Sequence, residues 1–322
     1  NHSSARILFS IRHRGKLMYA YLRYVALSLC LGLIAVWGSE VFFWSAPQAD
    51  TDAPALILTV IFYSFCASCA LSAVVLSGVS GWVALFSGGT LLGFTIEGVV
   101  VSTMYDAFPA QIVWTPLAWH ALITSLVIFG LCRAAVHWPM WRHIAVLLPI
   151  GLFGAVFAQY WPLERGTMPG FWPVVVYVAG SGLLVPLANN AIDRLNGSSA
   201  PSRRLLLITP VLLGLVWLVK LVLWFNPYML SWPLLILLTC WIMARLGSGI
   251  CMPDLGKAVP AWRHFLFMIV PVLSALLSIV GWAKIGGVES NIPVALATGA
   301  CGFGLYLFML AKALRRPDAR PS

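Results

Sequence analysis

The chain has 322 residues, of which 61% are apolar or aromatic and only 9% are charged, and its mean hydropathy is +0.91. A soluble domain carries about a quarter charged residues, so the composition excludes one and indicates an integral membrane protein. The net charge of +10 is spread over short connections, none long enough to fold into a basic surface. That excludes nucleic acid and leaves membrane lipids as the expected partners.

Roughly 20 apolar residues cross a hydrocarbon core of about 30 Å. Blocks of that kind occur at 20–45, 55–77, 81–105, 116–136, 143–161, 171–190, 204–225, 228–246, 264–285 and 291–313. The expectation is an all-α polytopic transmembrane bundle of about ten spans. Residues 18–314 form one domain, between a basic segment 1–17 and a tail 315–322. Arg133, Arg142, Arg194, Arg245, Lys257, Arg263 and the pairs at 203–204 and 315–316 fall on the same side as "RHRGK" (12–16). Glu40, Asp50, Asp52, Asp106, Glu164 and Glu289 fall on the other, with Arg165, Lys220 and Lys284 as its basic residues. The positive-inside rule then places both termini in the cytoplasm, with the bacterial inner membrane as the expected location.

In chain order, the first block follows a basic stretch but outruns a signal-peptide core, so it reads as a retained anchor. It carries Glu40 toward its outer end in "WGSEVFFW". The second contains Cys66 and Cys69 at C-x-x-C spacing. The surrounding Ala and Ser residues make a small-residue packing seam the better account. "SGVSG" (77–81) separates the second and third blocks so narrowly that they read either as two spans or as a re-entrant hairpin.

The third block, thinned by Gly88, Gly89 and Gly93, carries Glu97. At 1.5 Å per residue this carboxyl lies roughly 5 Å past the midplane, where an ionised acid costs about 2.5 kcal/mol or more and usually faces inward for a function. The alternative is a neutral Glu acting as packing glue. Pro109 and Pro116 stiffen the linker that follows, so Tyr105, Asp106 and His120 are expected over the outer end of this span, with Trp114 and Trp119 at the membrane interface. His120 suits a proton carrier. No second His or Cys stands at ligand spacing, so neither a metal nor another cofactor is expected.

Further along, Asn189, Asn190, Asp193 and Arg194 in "PLANNAIDRLNG" close the sixth block, as helix capping or as the lining of a pathway. Lys220 in the seventh either snorkels to the surface or pairs with Glu97 or Glu40. Pro149, Pro173, Pro186, Pro210, Pro233, Pro271 and Pro293 break the later spans, which suits an internal cavity.

No H-E-x-x-H, G-x-S-x-G or Walker A pattern occurs, which disfavours the familiar hydrolases and NTPases. Ten spans with both ends inside resembles the architecture of drug/metabolite-type transporters, whose five-helix halves are inverted repeats. The likeness is one of span count and covers no residue motif, and Glu97 has no acidic counterpart in the eighth block. It implies alternating access.

Three functions fit these residues. One is a proton-coupled secondary transporter of a small amphipathic or anionic metabolite. There Glu97 would be the gate, His120, Asp106 and Tyr105 its outer mouth, and Lys220 and Glu40 further polar groups at that level. The second is an enzyme acting on a lipid or isoprenoid, with Glu97 and His120 as acid and base. The third is an assembly subunit whose polar residues bind partner helices. Sequence leaves oligomeric state undetermined.

Overall fold

A computed structural model describes residues 2–48, 52–195 and 200–317, with side chains from residue 18 onward. Asp50, the end of "PLANNAIDRLNG" at 196–197 and the tail beyond 317 lie outside the described residues. Every regular element described is helical, and ten stretches are long and apolar enough to cross a membrane. These are α1 (Met18–Trp44), α2 (Ala53–Ser77), α3 (Gly81–Val100), α4 (Ala110–Ala135), α5 (Met140–Arg165), α6 (Phe171–Leu195), α7 (Arg203–Leu223), α8 (Pro227–Leu246), α9 (Ala261–Ile285) and α10 (Asn291–Arg315).

Contacts between helix ends show how the spans alternate. At one end Cys251 N–H donates to Val75 O at 3.0 Å, Arg133 reaches Asn189, and Arg245 Nε donates to Ala313 O at 3.4 Å. These contacts gather the ends of α2, α4, α6, α8 and α10. At the other end Trp161 Nε1 donates to Phe43 O at 2.9 Å, Val288 N–H to Gln159 O at 2.9 Å, and Phe108 stacks on Tyr228. The short "SGVSG" link joins two separate spans. Gly78 takes the left-handed conformation that ends α2 (φ +67°) and returns its N–H to Val74 O, a position that suits glycine because it has no Cβ.

α3 is the hub, with 89% of its apolar stretch buried, whereas α7 at 11% is peripheral. Apolar faces gain nothing by leaving lipid for one another, so membrane helices associate where small residues let backbones touch. Gly89 and Gly93, spaced four apart, do this against α4. A Cβ on Gly93 would stand 2.7 Å from Pro116 Cα and 2.9 Å from His120 Cβ, and one on Gly89 would stand 2.8 Å from Ala121 Cα. Gly302 of α10 makes a similar approach to α4 at the Leu117 carbonyl.

Two expectations are corrected. Trp119 does not face headgroups: it is 1% exposed inside the bundle, packs against Phe42, Phe43 and Phe157, and donates its indole N–H to Gly38 O at 3.0 Å. A close approach at Gly38, where a Cβ would meet Thr124 Cγ2 at 2.8 Å, draws this part of α4 inward against α1. The third span ends at Val100 rather than 105, because Ser102 adopts a left-handed conformation (φ +70°) and Lys220 takes up the Val99 and Val100 carbonyls.

π-helical turns occupy Trp37–Val41 of α1, Ile96–Val100 of α3, Val113–Leu131 of α4 and Val176–Gly180 of α6. Single π-turns of this kind are rare and often fall at functional sites, whereas the stretch in α4 is far longer than one turn. Glu40, Glu97 and His120 each lie in π-helical backbone. A cavity of about 550 Å³ lies among α1, α2, α3 and α4 and extends to Arg133 and residues 253–256 of the α8–α9 connection. Gly88, Gly89 and Gly130 line it, and none of the span prolines does.

Candidate functional site

Glu97 sits in the last turn of α3, buried, with Oε1 2.9 Å from His120 Nε2 of α4. The Gly93 contact brings the two helices close enough for that pair. Thr103, just past the end of α3, donates to Oε2. The other imidazole nitrogen, Nδ1, lies 2.9 Å from Ser39 Oγ of α1, and Ser39 Oγ is 3.0 Å from Thr124 Oγ1. Ser39, His120 and Thr124 are all buried.

A continuous chain results: Thr103, Glu97, His120, Ser39, Thr124. Thr124 lines the cavity, so the chain runs from the cavity wall to the loop at the opposite end. A neutral His120 with its hydrogen on Nε2 donates to Glu97, and Nδ1 then accepts from Ser39, which accepts from Thr124. A proton added at Nδ1 makes it a donor and reverses the sense of both hydroxyl bonds. Every member can therefore hand on a proton while keeping its partners. Glu97 itself lies off the cavity wall and reaches it only through this chain.

Glu40 stands beside this chain. Its Oε1 accepts from Tyr63 Oη at 2.6 Å and its Oε2 from Trp44 Nε1 at 3.1 Å, and the Tyr63 ring centroid is 6.2 Å from that of His120. Tyr105 is buried and donates to Gly98 O at 2.9 Å, pinning the turn after Glu97. Burial raises its phenol above the ordinary range. Asp106 is exposed and takes no part in the chain. Lys220 is paired with neither Glu97 nor Glu40. Its Nζ donates to Val99 O at 2.8 Å, Val100 O at 3.1 Å and Ser102 Oγ at 2.6 Å, where the open carbonyls at the end of α3 suit a cation.

Of the residues singled out in sequence, the structure joins Glu97 and His120, places Glu40 one side chain away, and leaves Asp106 and Lys220 apart. Ser39, Tyr63, Thr103 and Thr124 went unrecognised. Two of them carried a signal: Ser39 precedes Glu40, and Thr124 is four residues beyond His120, on the same helical face.

A second polar cluster occupies the Arg133 end. Arg133 donates from Nη2 to Asp193 Oδ1 at 2.5 Å, from Nη1 to Asn189 Oδ1 at 3.1 Å, and from Nε to Leu255 O at 2.8 Å. Asp193 Oδ2 accepts from His264 Nε2 at 2.9 Å and Val259 N–H at 3.1 Å. Asn189 and Asp193 thus tie α6 to α4, α9 and the α8–α9 connection. The cysteine pair of α2 lies in a small-residue seam, where Ser68 and Ser72 bond Tyr24 of α1. Among the described residues, no group of three or more His, Cys, Asp or Glu is placed to hold a metal ion.

The apolar spans and this bundle define a polytopic all-α membrane protein. Set against protein-family models, curated proteins and solved structures, the chain matches none of them.

Proposed function

We propose that this protein is a proton-coupled secondary transporter of a small amphipathic metabolite, embedded in a bacterial inner membrane as one transmembrane domain with both termini in the cytoplasm. The observation that carries the proposal is the hydrogen-bonded chain from Thr124 on the cavity wall through Ser39 and His120 to Glu97 and Thr103. A carrier needs a substrate chamber and a protonatable group whose states communicate. Here the chamber wall and the acid–histidine pair share one set of bonds. Orientation rests on the basic residues that collect at the Arg133 end. Asp106 and Tyr105 would border the outer mouth, and Lys220 and Glu40 would brace the helices around Glu97.

The test is current on a solid-supported membrane loaded with proteoliposomes and challenged by jumps of decanoate, decyl phosphate and decyltrimethylammonium across a pH gradient. One or more of these should give a current that Glu97→Gln abolishes while counterflow exchange survives. Currents identical in the wild type and E97Q would overturn the proposal.

A second reading, an enzyme acting on a lipid ester, is favoured by one observation: Ser39, His120 and Glu97 stand in the order of nucleophile, base and orienting acid, each contact at 2.9 Å. Labelling of Ser39 by a fluorophosphonate probe, lost in His120→Ala, would establish it in place of transport.

A further inference from the structure

We propose that the cavity among α1 to α4 binds an anionic amphiphile with a single apolar chain, and that Arg133 takes its headgroup by exchanging Asp193 for it. This names a substrate class for the transport reading above, although the binding itself does not depend on transport.

The walls fix the body of the ligand. The lining is mostly apolar, with Leu31, Ile34, Leu71, Val74, Leu92 and Phe129 among its larger side chains, a surface that would leave most hydroxyls of a sugar or nucleotide unpaired. The volume of about 550 Å³ falls within the range of small-molecule sites, about 300–1,000 Å³. Thr124 and Arg133 both line the cavity nine residues apart on α4, a stretch of about 10 Å because the part up to Leu131 is π-helical and rises less per residue than the 1.5 Å of an α-helix. That length suits an apolar chain of medium size.

Arg133 fixes the head. It lines the cavity yet is 8% exposed, so its charge acts where water screens it least. The other charged group on the lining is Asp254. It is exposed to solvent and already accepts the Gly256 N–H at 2.9 Å, so its opposing charge is weakened. A guanidinium offers five N–H groups in a planar fork that matches a carboxylate or a phosphate.

The partners of Arg133 make exchange feasible. Asp193 does not depend on it alone, because Oδ2 keeps His264 Nε2 and Val259 N–H. When Nη2 turns to an incoming anion, Asp193 therefore keeps two hydrogen bonds. Arg133 is also the link from α4 to α6 and to the α8–α9 connection, so a headgroup that takes Nη2 loosens the α4–α6 tie. Occupancy of the chamber and closure of that end are then coupled by competition for one side chain.

The experiment measures binding to the full-length protein in nanodiscs, by tryptophan fluorescence and by the rise in unfolding temperature. The probes are decanoate and decyl phosphate, with decanol and decyltrimethylammonium as neutral and cationic counterparts. Decanoate or decyl phosphate should bind saturably, about tenfold tighter than decanol, and whichever is preferred identifies the headgroup. Arg133→Lys should weaken that binding about tenfold. Asp193→Asn, which removes the competitor, should tighten it, and Ala70→Trp, which fills the chamber, should abolish it with Arg133 untouched. Equal binding of decanol and both anions, weaker binding in D193N, or undiminished binding in A70W would overturn the proposal. None of these readouts uses Glu97, so the failure of proton coupling and the failure of this site are separate results.

Discussion

Two buried acid–histidine contacts stand at opposite ends of this bundle, with the same 2.9 Å separation and different surroundings. Asp193 has His264 on one oxygen and the permanent charge of Arg133 on the other, plus a backbone N–H. Glu97 has His120 and the neutral hydroxyl of Thr103. The charge balance at Asp193 is therefore built into the residue types, whereas at Glu97 it depends on where one proton resides. The first arrangement holds helices together. The second can change state.

That contrast predicts a ranked series of effects on stability, measured by thermal unfolding in nanodiscs. Arg133→Ala should be the most damaging, costing about 3–5 kcal/mol, because with no anion taking its place Asp193 loses its permanent counter-charge while Asn189 and Leu255 O lose their donor. A loss below 1 kcal/mol would remove the distinction between the two ends. Gly93→Leu should follow at about 1–3 kcal/mol, since the added side chain has no room against Pro116. It should also separate Glu97 from His120 and abolish proton-coupled current.

Glu97→Gln should cost about 1–2 kcal/mol at neutral pH, the scale of one charge-assisted hydrogen bond. The difference from wild type should close as pH falls, because a protonated carboxyl is what the amide imitates. A difference that held constant over the whole acid range in which the bundle stays folded would mark Glu97 as structural. Lys220→Met should cost about 1 kcal/mol by uncapping α3. Asp106→Asn should fall within about 0.5 kcal/mol of wild type, as an exposed group outside either cluster.

Much of the fold was legible in the sequence because bilayer thickness sets span length, and all ten apolar blocks coincide with helices. The Glu97–His120 pair was partly legible, since an acid within a span is costly enough to stand out. Its immediate partners were not, because Ser39 and Thr124 are ordinary residues for a membrane helix and only the approach of α1 to α4 gives them a role. Arg133 and His264 were harder still. Arg133 looked like one more basic residue marking topology, and its partners lie on α6, α9 and the α8–α9 connection, far along the chain. The role of Gly89 and Gly93 was visible as a thinning of α3 but not as a seam, since nothing local says which helix fills the groove.

The seam also restricts how the molecule can move. Where two backbones touch without intervening side chains, neither can slide or roll without collision, so α3 and α4 travel as one piece. Any rearrangement that widens the chamber must leave this seam closed, and since α1 is itself held to α4 at Gly38, α2 is the wall with most freedom to give.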